Sequence, residues 1–297
     1  MTSTISRRLQ FLLWLVGCLL VALPVHAQPL RVMTFNVRFL TQNDGANNWD
    51  ARRDLVAEML RAEDPDVIGT QELFKRQGDD IVERLPQFVW FGEGRGGGDG
   101  DEHMGVFYRK DRLRVLESGN FWLSDTPDIP GSRTWGNIYP RMVTWARFER
   151  IADGATFTLY NTHLPYRDID EPARIRSAEL IRARLEKLPL SERLILIGDF
   201  NTTSASRVHS ILTDSLTDAW TATAQRTGPE GTFHDFTGKP ERRIDWILFR
   251  GLRANRVHTI TMHRDGRYPS DHFPVVAEFD FPTSGRPLRV VVTRSSL

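Results

Sequence analysis

Short apolar runs separated by polar turns dominate the chain, and only a few stretches carry helical spacing. Leu30 to Val37 reads as a strand. Asp50 to Glu63 repeats apolar residues at Leu55, Val56, Met59 and Leu60, and this helix is expected to stop at Asp64-Pro65. Val67 to Thr70 reads as a short buried strand and Asp79 to Leu85 as a short helix. Gly92 to Gly100 is so rich in glycine that a mobile surface loop is expected. Met104 to Tyr108, Met142 to Phe148 and the alternating Thr156 to Thr162 read as strands. Arg174 to Leu188 is predicted to be a second long helix, with Ile175, Leu180, Ile181 and Leu185 on one face. Leu194 to Ile197, Ile244 to Phe249 and Val275 to Phe281 are further strands, and Leu288 to Val292 can add one at an edge. Strands outnumber helices and helices are interspersed. That pattern predicts an α/β (α+β) fold with two sheets packed face to face and helices outside.

The N-terminus stands apart from this pattern. Arg7 and Arg8 precede an apolar run from Phe11 to Leu23, and Val25-His26-Ala27 places small residues where a signal peptidase reads. The run is too short for a comfortable membrane span. Leu15-Val16-Gly17-Cys18 has the form of a lipoprotein box, but more apolar chain follows it. Residues 1–27 are therefore expected to be a signal peptide, residues 28–282 one domain and residues 283–297 a short basic tail. The expectation is a protein exported to the periplasm or the medium, with no stable membrane span once the signal is removed, and a monomer. The formal net charge of +1 becomes −1 without Arg7 and Arg8, since residues 1–27 hold no acid. Such a balance gives no broad attraction to nucleic acid or anionic lipid, so any grip on phosphate must be local. Cys18 is the single cysteine. The mature chain then has no disulfide, no thiol nucleophile and no cysteine-rich zinc site.

Residues able to do chemistry recur directly after the apolar runs. Asn36 ends the first strand, and Glu72 follows Val67-Ile68-Gly69-Thr70-Gln71. His163 follows Leu159-Tyr160-Asn161-Thr162. Asp199 and Asn201 follow Leu194 to Gly198. Asp245 lies within Arg243-Ile244-Asp245-Trp246-Ile247, and Asp271 and His272 precede Phe273-Pro274. Strand ends and the loops after them can converge on one rim of a sandwich. Singly, each has an ordinary explanation: a turn former, a helix cap, a satisfied histidine. Together their complementary chemistry makes that explanation poor.

Taken in order, Thr34-Phe35-Asn36-Val37, Gly69-Thr70-Gln71-Glu72, Asn161-Thr162-His163-Leu164, Gly198-Asp199-Phe200-Asn201, Arg243-Ile244-Asp245-Trp246-Ile247 and Ser270-Asp271-His272-Phe273-Pro274 resemble the endonuclease/exonuclease/phosphatase superfamily. The likeness spans about residues 30 to 281. It implies a four-layer sandwich of two face-to-face mixed sheets flanked by helices, and metal-dependent phosphoester hydrolysis. Carboxylate and amide oxygens suit a hard ion. Glu72, with Asn36 beside it and Asp271 on the same cluster, is the expected ligand set for Mg2+, with Mn2+ a substitute. The resemblance gives Asp199 the attacking water, Asn201 the phosphate, and His272 with Asp245 a carboxylate–imidazole pair. His163 matches a second histidine of the deoxyribonuclease branch, and Glu102 is its expected partner. Arg141 and Arg133 are candidate substrate clamps, and Trp122 or Trp135 candidate stacking surfaces. His103 is expected to be structural.

The expected function is hydrolysis of a phosphodiester or phosphomonoester by metal-assisted attack of water. Nucleotides, nucleic acid, sugar or inositol phosphates and phospholipid head groups are the candidate substrates. A secreted endonuclease is the alternative, weighed down by the near-neutral charge. A binding protein that merely keeps the fold would not need Asp199, His163 and His272 together. The chain lacks the Trp-Cys-Asp-Arg segment of the inositol 5-phosphatases, which speaks against an inositol lipid.

Overall fold

The computed structural model describes residues 28–282. The expected signal segment with Cys18, the basic tail and the expected edge strand at 288–292 lie outside the described residues. In chain order the elements are β1 (Leu30–Asn36), α1 (Trp49–Glu63), β2 (Val67–Gln71), α2 (Lys75–Arg84), β3 (Phe88–Phe91), β4 (Val106–Arg109), β5 (Leu113–Trp122), β6 (Met142–Arg150) and β7 (Thr156–His163). There follow α3 (Glu171–Leu185), β8 (Leu194–Asp199), α4 (Arg207–Thr213), β9 (Thr217–Asp218), α5 (Ala219–Ala222), β10 (Arg226–Thr227), β11 (Asp245–Arg250), β12 (Arg253–Thr259) and β13 (Val275–Asp280). One sheet runs β10-β12-β13-β1-β2-β4-β3 and the other β5-β6-β7-β8-β11-β9. Both are mixed: β1 pairs parallel with β2 and antiparallel with β13, and β7 pairs parallel with β8.

Alternation along each strand sends one set of side chains between the sheets and the other outward. Val32, Val67 and Ala277 of one sheet meet Phe148, Leu159, Ile197 and Ile247 of the other. On the outer face of the first sheet, Met33, Phe35 and Ile68 pack under Val56, Met59 and Leu60 of α1 and Ile81 of α2. On the outer face of the second, Leu194, Leu196 and Leu248 pack under Ala178, Ile181 and Leu185 of α3 and Ile211 of α4. This is the expected four-layer sandwich. Asn161 ties its two halves through polar contacts: its amide donates to the carbonyls of Thr70 (2.8 Å) and Gly105 (3.1 Å) and accepts from Gln71 Nε2 (2.7 Å). Gly69 admits this close approach, since a Cβ there would lie 2.7 Å from Asn161 Cγ.

Several elements differ from the sequence reading. Helix α3 begins at Glu171, where Pro172 sits in the first turn, and it buries Ala173, Ser177 and Ala178 beside Ile181 and Leu185. Ile175 and Leu180, expected on the buried face, are only partly covered. Small residues let the helix settle close to the sheet. Helix α2 begins four residues before the expected start, at Lys75. Strands β3, β5 and β12 carry no predicted counterpart. The last two are largely polar, with Glu117 and Ser118 exposed in one and Arg253 and Arg256 in the other.

Candidate active site

Register brings the predicted residues together. In the parallel pair β1–β2, Asn36 lies beside Gln71, so Glu72 emerges next to Asn36. In the second sheet His163 lies beside Asp199, which lies beside Asp245 on its other flank, making one row across β7, β8 and β11. The two rows face one another at the same end of the sandwich. They line a cleft of about 590 Å³ that also takes in Arg38, Arg95, Glu102, Tyr139, Arg141, Tyr166, Asn201, Arg242, Asp271 and His272. Glu72 (φ 61°) and Asn201 (φ 50°) both adopt the left-handed backbone immediately after their strands. Such conformations are costly for these side chains and persist where surrounding contacts fix them.

Asn36 joins the two rows. Its Nδ2 donates to Glu72 Oε1 and to Asp199 Oδ2, both at 3.1 Å, while its Oδ1 accepts from the backbone of Arg38 (3.0 Å). Glu72 Oε2 accepts from Phe39 N (2.9 Å). Ser270 Oγ lies 2.7 Å from the Asn36 carbonyl and 3.0 Å from Asp271 Oδ1, and its single proton is shared between these two acceptors. Beneath this layer the buried Arg52 of α1 donates to the carbonyls of Asn47, Val37 and Pro269, clamping the loops on either side. Burial pulls its guanidinium down to about 10. Arg52 and Arg38, whose guanidinium bonds Asp44 and approaches Asp271 at 3.5 Å, carry no motif that sets them apart in the sequence.

Asp199 Oδ1 accepts from Asn201 N (2.9 Å), and Oδ2 lies 3.5 Å from His163 Nε2 and 3.8 Å from His272 Nε2. Burial, reinforced by the charge of Asp245, pushes the Asp199 carboxyl up to about 7. His272 Nδ1 bonds Asp245 Oδ2 at 2.9 Å. Burial works against a charged ring, but the Asp245 carboxylate, with Asp199 and Asp271, overrides it and holds His272 well above the usual histidine range. That balance favours the protonated ring, with Nδ1 on Asp245 and Nε2 turned toward Asp199. His163 is the opposite case. Burial and the positive charges of Arg141 and Arg95 hold it well below the ordinary value. Its Nε2 accepts from Asn201 Nδ2 (2.9 Å), which puts the proton of the neutral ring on Nδ1. Phe200 and Trp246, the aromatic residues of two motifs, stack at 4.4 Å beneath this row and hold Asp199 and Asp245 abreast.

Three expectations need correction. Glu102 does not orient His163: its Oε2 takes Arg95 Nη1 at 2.8 Å, because Arg95 from the glycine-rich loop folds inward over it. Burial and the charge of Glu72 push the Glu102 carboxyl upward. Arg133 is exposed and absent from the cleft, its guanidinium pinned to the carbonyl of Ile138. Trp122 is buried with Nε1 on the Arg95 carbonyl (2.6 Å), and Trp135 bonds Asp125 (2.8 Å), so neither offers a stacking face to the cleft. Tyr139 and Tyr166, both exposed, take that place, and Arg95 stacks over Tyr139 at 4.4 Å. Arg141 does face the cleft. It is 5 % exposed, and its Nη1 finds no partner among the described residues. His103 is buried on the Leu73 carbonyl, as a structural residue should be.

Two clusters could hold a cation. Asp199, Asp245 and His272 offer ligand atoms within 4.8 Å of one another. There the proton on His272 and its bond to Asp245 compete with a metal. Glu72 and Asp271 form the better set, with oxygen donors only, no histidine, and like-charge crowding that raises the Asp271 carboxyl after burial has done so. A divalent ion would offset that crowding, and hard oxygen donors fit Mg2+ or Mn2+. Asn36 presents its N–H to the carboxylates here; half a turn of the amide presents its oxygen instead.

The profile of the Endonuclease/Exonuclease/phosphatase family matches residues 33–272. An endonuclease/exonuclease/phosphatase family protein from Bacteroides thetaiotaomicron superposes with a TM-score of 0.81 at 34% identity, over 86% of this chain and 100% of that one. A mannosyl-6-phosphatase from Bacteroides thetaiotaomicron VPI-5482 superposes with a TM-score of 0.79 at 33% identity, over 85% and 100% of the two chains. The uncharacterized protein L388 of Acanthamoeba polyphaga mimivirus is 27% identical over 273 residues, 84% of this chain and all of that protein.

Proposed function

Since the chain belongs to the endonuclease/exonuclease/phosphatase family of metal-dependent phosphoric ester hydrolases, we propose that it hydrolyses a small phosphate ester with Mg2+, and that a sugar phosphomonoester is the preferred class. The observation that carries this reading is the unpartnered Arg141 guanidinium, buried in a concave cleft beside Asp199, His163 and the Glu72–Asp271 pair. A buried cation without a carboxylate partner is costly to keep and suits a ligand that brings its own negative charge. A cleft of about 590 Å³ fits one ring and its phosphate rather than a long polymer. The likeness to the mannosyl-6-phosphatase of Bacteroides thetaiotaomicron supports the sugar class.

The geometry supports the following roles. Arg141 holds a phosphate oxygen, and Asn201 does so by releasing His163 or the Leu164 carbonyl, which take its two amide hydrogens in the free site. Asp199, with its carboxyl near 7, accepts a proton from the attacking water at neutral pH. The His272 imidazolium, fixed by Asp245, faces the region where negative charge builds up. Neutral His163 lines the cleft beside Asp199, and we assign it contact with the phosphate or the leaving oxygen. Bound at Glu72 and Asp271 with Asn36, a divalent cation supplies charge neutralisation at the phosphate. Tyr139 and Tyr166 flank the mouth and offer faces to the sugar ring.

A second reading rests on those same exposed tyrosines, which can also stack bases of a single strand. A panel with Mg2+ separates the two: hexose 6-phosphates, nucleotides, single-stranded oligonucleotides, inositol phosphates and phospholipids. Fastest turnover of a hexose phosphate is expected; preference for an oligonucleotide by tenfold or more would replace the first reading with the second. The proposal also places the enzyme outside the cytoplasm, which rests on residues 1–27 alone and is checked by N-terminal sequencing of the secreted or periplasmic protein.

A further inference from the structure

The outer face of the second sheet is not fully covered by α3. Beyond the C-terminal end of that helix a depression of about 490 Å³ opens over β5, β6 and β7. Its floor is aromatic. The indole of Trp145 lies across Gly119, since a Cβ at Gly119 would meet Nε1, Cε2 and Cζ2 of that ring at 3.1, 3.2 and 3.2 Å. Three ring atoms at nearly one distance mean that the indole is laid flat on the neighbouring strand. The ring of Tyr160 sits beside it, 6.2 Å between centroids and inclined by only 23°. Tyr160 is 7 % exposed and lines the depression, and its hydroxyl bonds no other described residue and is not among the buried atoms, so it is open to a ligand there.

The walls are charged but largely neutralised. Arg147 lies 3.6 Å from Glu192, and Arg184 bonds Asp128 at 2.9 Å while covering Phe121. Glu117 and Lys187 also line the opening. An anionic ligand at Arg147 or Arg184 would compete with their carboxylate partners. A neutral ring with an apolar face and many hydroxyls would not: its C–H face fits the two aromatic planes, and its hydroxyls meet Glu117, Glu192, Arg147 and the free Tyr160 hydroxyl. We propose that the Trp145–Tyr160 depression is a second binding site, distinct from the hydrolytic cleft, for a neutral saccharide unit. Tyr160 and His163 share β7, three residues apart and on opposite faces, so the two sites lie roughly 10 Å apart along the strand with the sheet between them. A sugar held at one cannot be the residue hydrolysed at the other.

The test uses the whole chain with four neutral disaccharides, mannobiose, maltose, cellobiose and lactose, and adenosine as an aromatic control. Binding is followed by saturation-transfer NMR and isothermal titration up to about 20 mM, a range suited to millimolar affinity. At least one disaccharide should saturate. Its affinity should fall about tenfold or more in Trp145→Ala and about threefold or more in Tyr160→Phe, which keeps the packing and removes only the hydroxyl. Hydrolysis of p-nitrophenyl phosphate should stay within about twofold of wild type in both. No saturable binding by any of the four, or binding that both variants leave unchanged, overturns the proposal. Adenosine binding more tightly than every sugar overturns the ligand class.

Discussion

The two ends of the sandwich use the same kinds of residues to opposite purposes. At the end away from the cleft, Asp64, Asp66, Arg109 and Arg112 close the turns before β2 and β5. Arg112 reaches Asp66 at 2.9 Å and Asp64 at 2.5 Å, Arg109 reaches Asp111 at 2.7 Å and also Asp64, and Asp66 accepts the backbone of Arg31 at 2.7 Å. A cavity of about 580 Å³ opens there too, as large as the cleft. Size therefore does not mark the functional end. Charge balance does. At the far end each carboxylate meets a guanidinium. At the cleft Arg141 has no carboxylate in salt-bridge contact among the described residues, and Asp199, Asp271 and Glu102 are all pushed toward protonation. One end uses charge to fix backbone; the other holds it in reserve for a ligand.

If that contrast is right, removing charge at the cleft must cost activity and not stability. The largest effects are expected from Glu72→Ala, Asp199→Asn and His272→Ala. Each should lower kcat on bis(p-nitrophenyl) phosphate by about 10²–10⁴ while circular dichroism shows the fold intact, with melting lowered in His272→Ala, which strands the buried Asp245 carboxylate. Chelator should abolish turnover of the intact enzyme and Mg2+ or Mn2+ restore it. Near-normal rates in all three variants would remove the site altogether. Glu102→Gln should cost less than any of these, because Glu102 meets Arg95 and not His163.

Arg141→Met sharpens the comparison, since the two readouts should move in opposite directions. Activity should fall by about 10- to 100-fold through a raised KM. Stability should rise by about 1 kcal/mol, because an apolar side chain of similar length replaces a buried, incompletely bonded cation. Loss of both activity and stability would mean that Arg141 is a structural residue. At the far end Asp66→Asn should do the reverse. It weakens the bonds to Arg31 N and Arg112 and is expected to cost about 1–2 kcal/mol in urea unfolding with kcat unchanged.

How much of this was legible depended on how far each feature is local. The motif residues that meet in the cleft stand directly after apolar strands, so strand register alone makes neighbours of His163, Asp199 and Asp245. The four layers followed from the same alternation. Strands β5 and β12 were hidden because exposed polar residues interrupt their alternation, and the close packing of α3 because Ala173, Ser177 and Ala178 do not read as an apolar stripe. Arginine roles were the hardest. Lys and Arg together number 39, and nothing local marks Arg52, Arg38 and Arg95 as turning inward while Arg133 turns out. Those choices are made by carbonyls and carboxylates more distant in the chain. Glu102 meets Arg95 rather than His163 for that reason: its partner comes from a glycine-rich loop whose path no periodicity describes.

The smallest effect expected belongs to Glu63, which stands at the far end of the sandwich like Asp66. Its Oε2 bonds His258 Nε2 at 2.8 Å and lies 3.3 Å from Arg31 Nη2. The hydrogen bond from His258, followed by the charges around it, holds the Glu63 carboxyl below its ordinary value of 4.5 even though burial works against this. A carboxylate depressed in the folded state stabilises the protein above its unfolded pKa. That contribution is lost as pH falls through the folded value. Wild type should therefore lose stability below about pH 4.5, and Glu63→Gln should remove a small part of that loss, under about 1 kcal/mol because the group is partly exposed to solvent and screened. Urea unfolding of both proteins between pH 3 and 7 gives the difference. A difference that grows as pH rises above 5, rather than levelling off, would mean that Glu63 is not one of the paired charges that distinguish this end from the cleft.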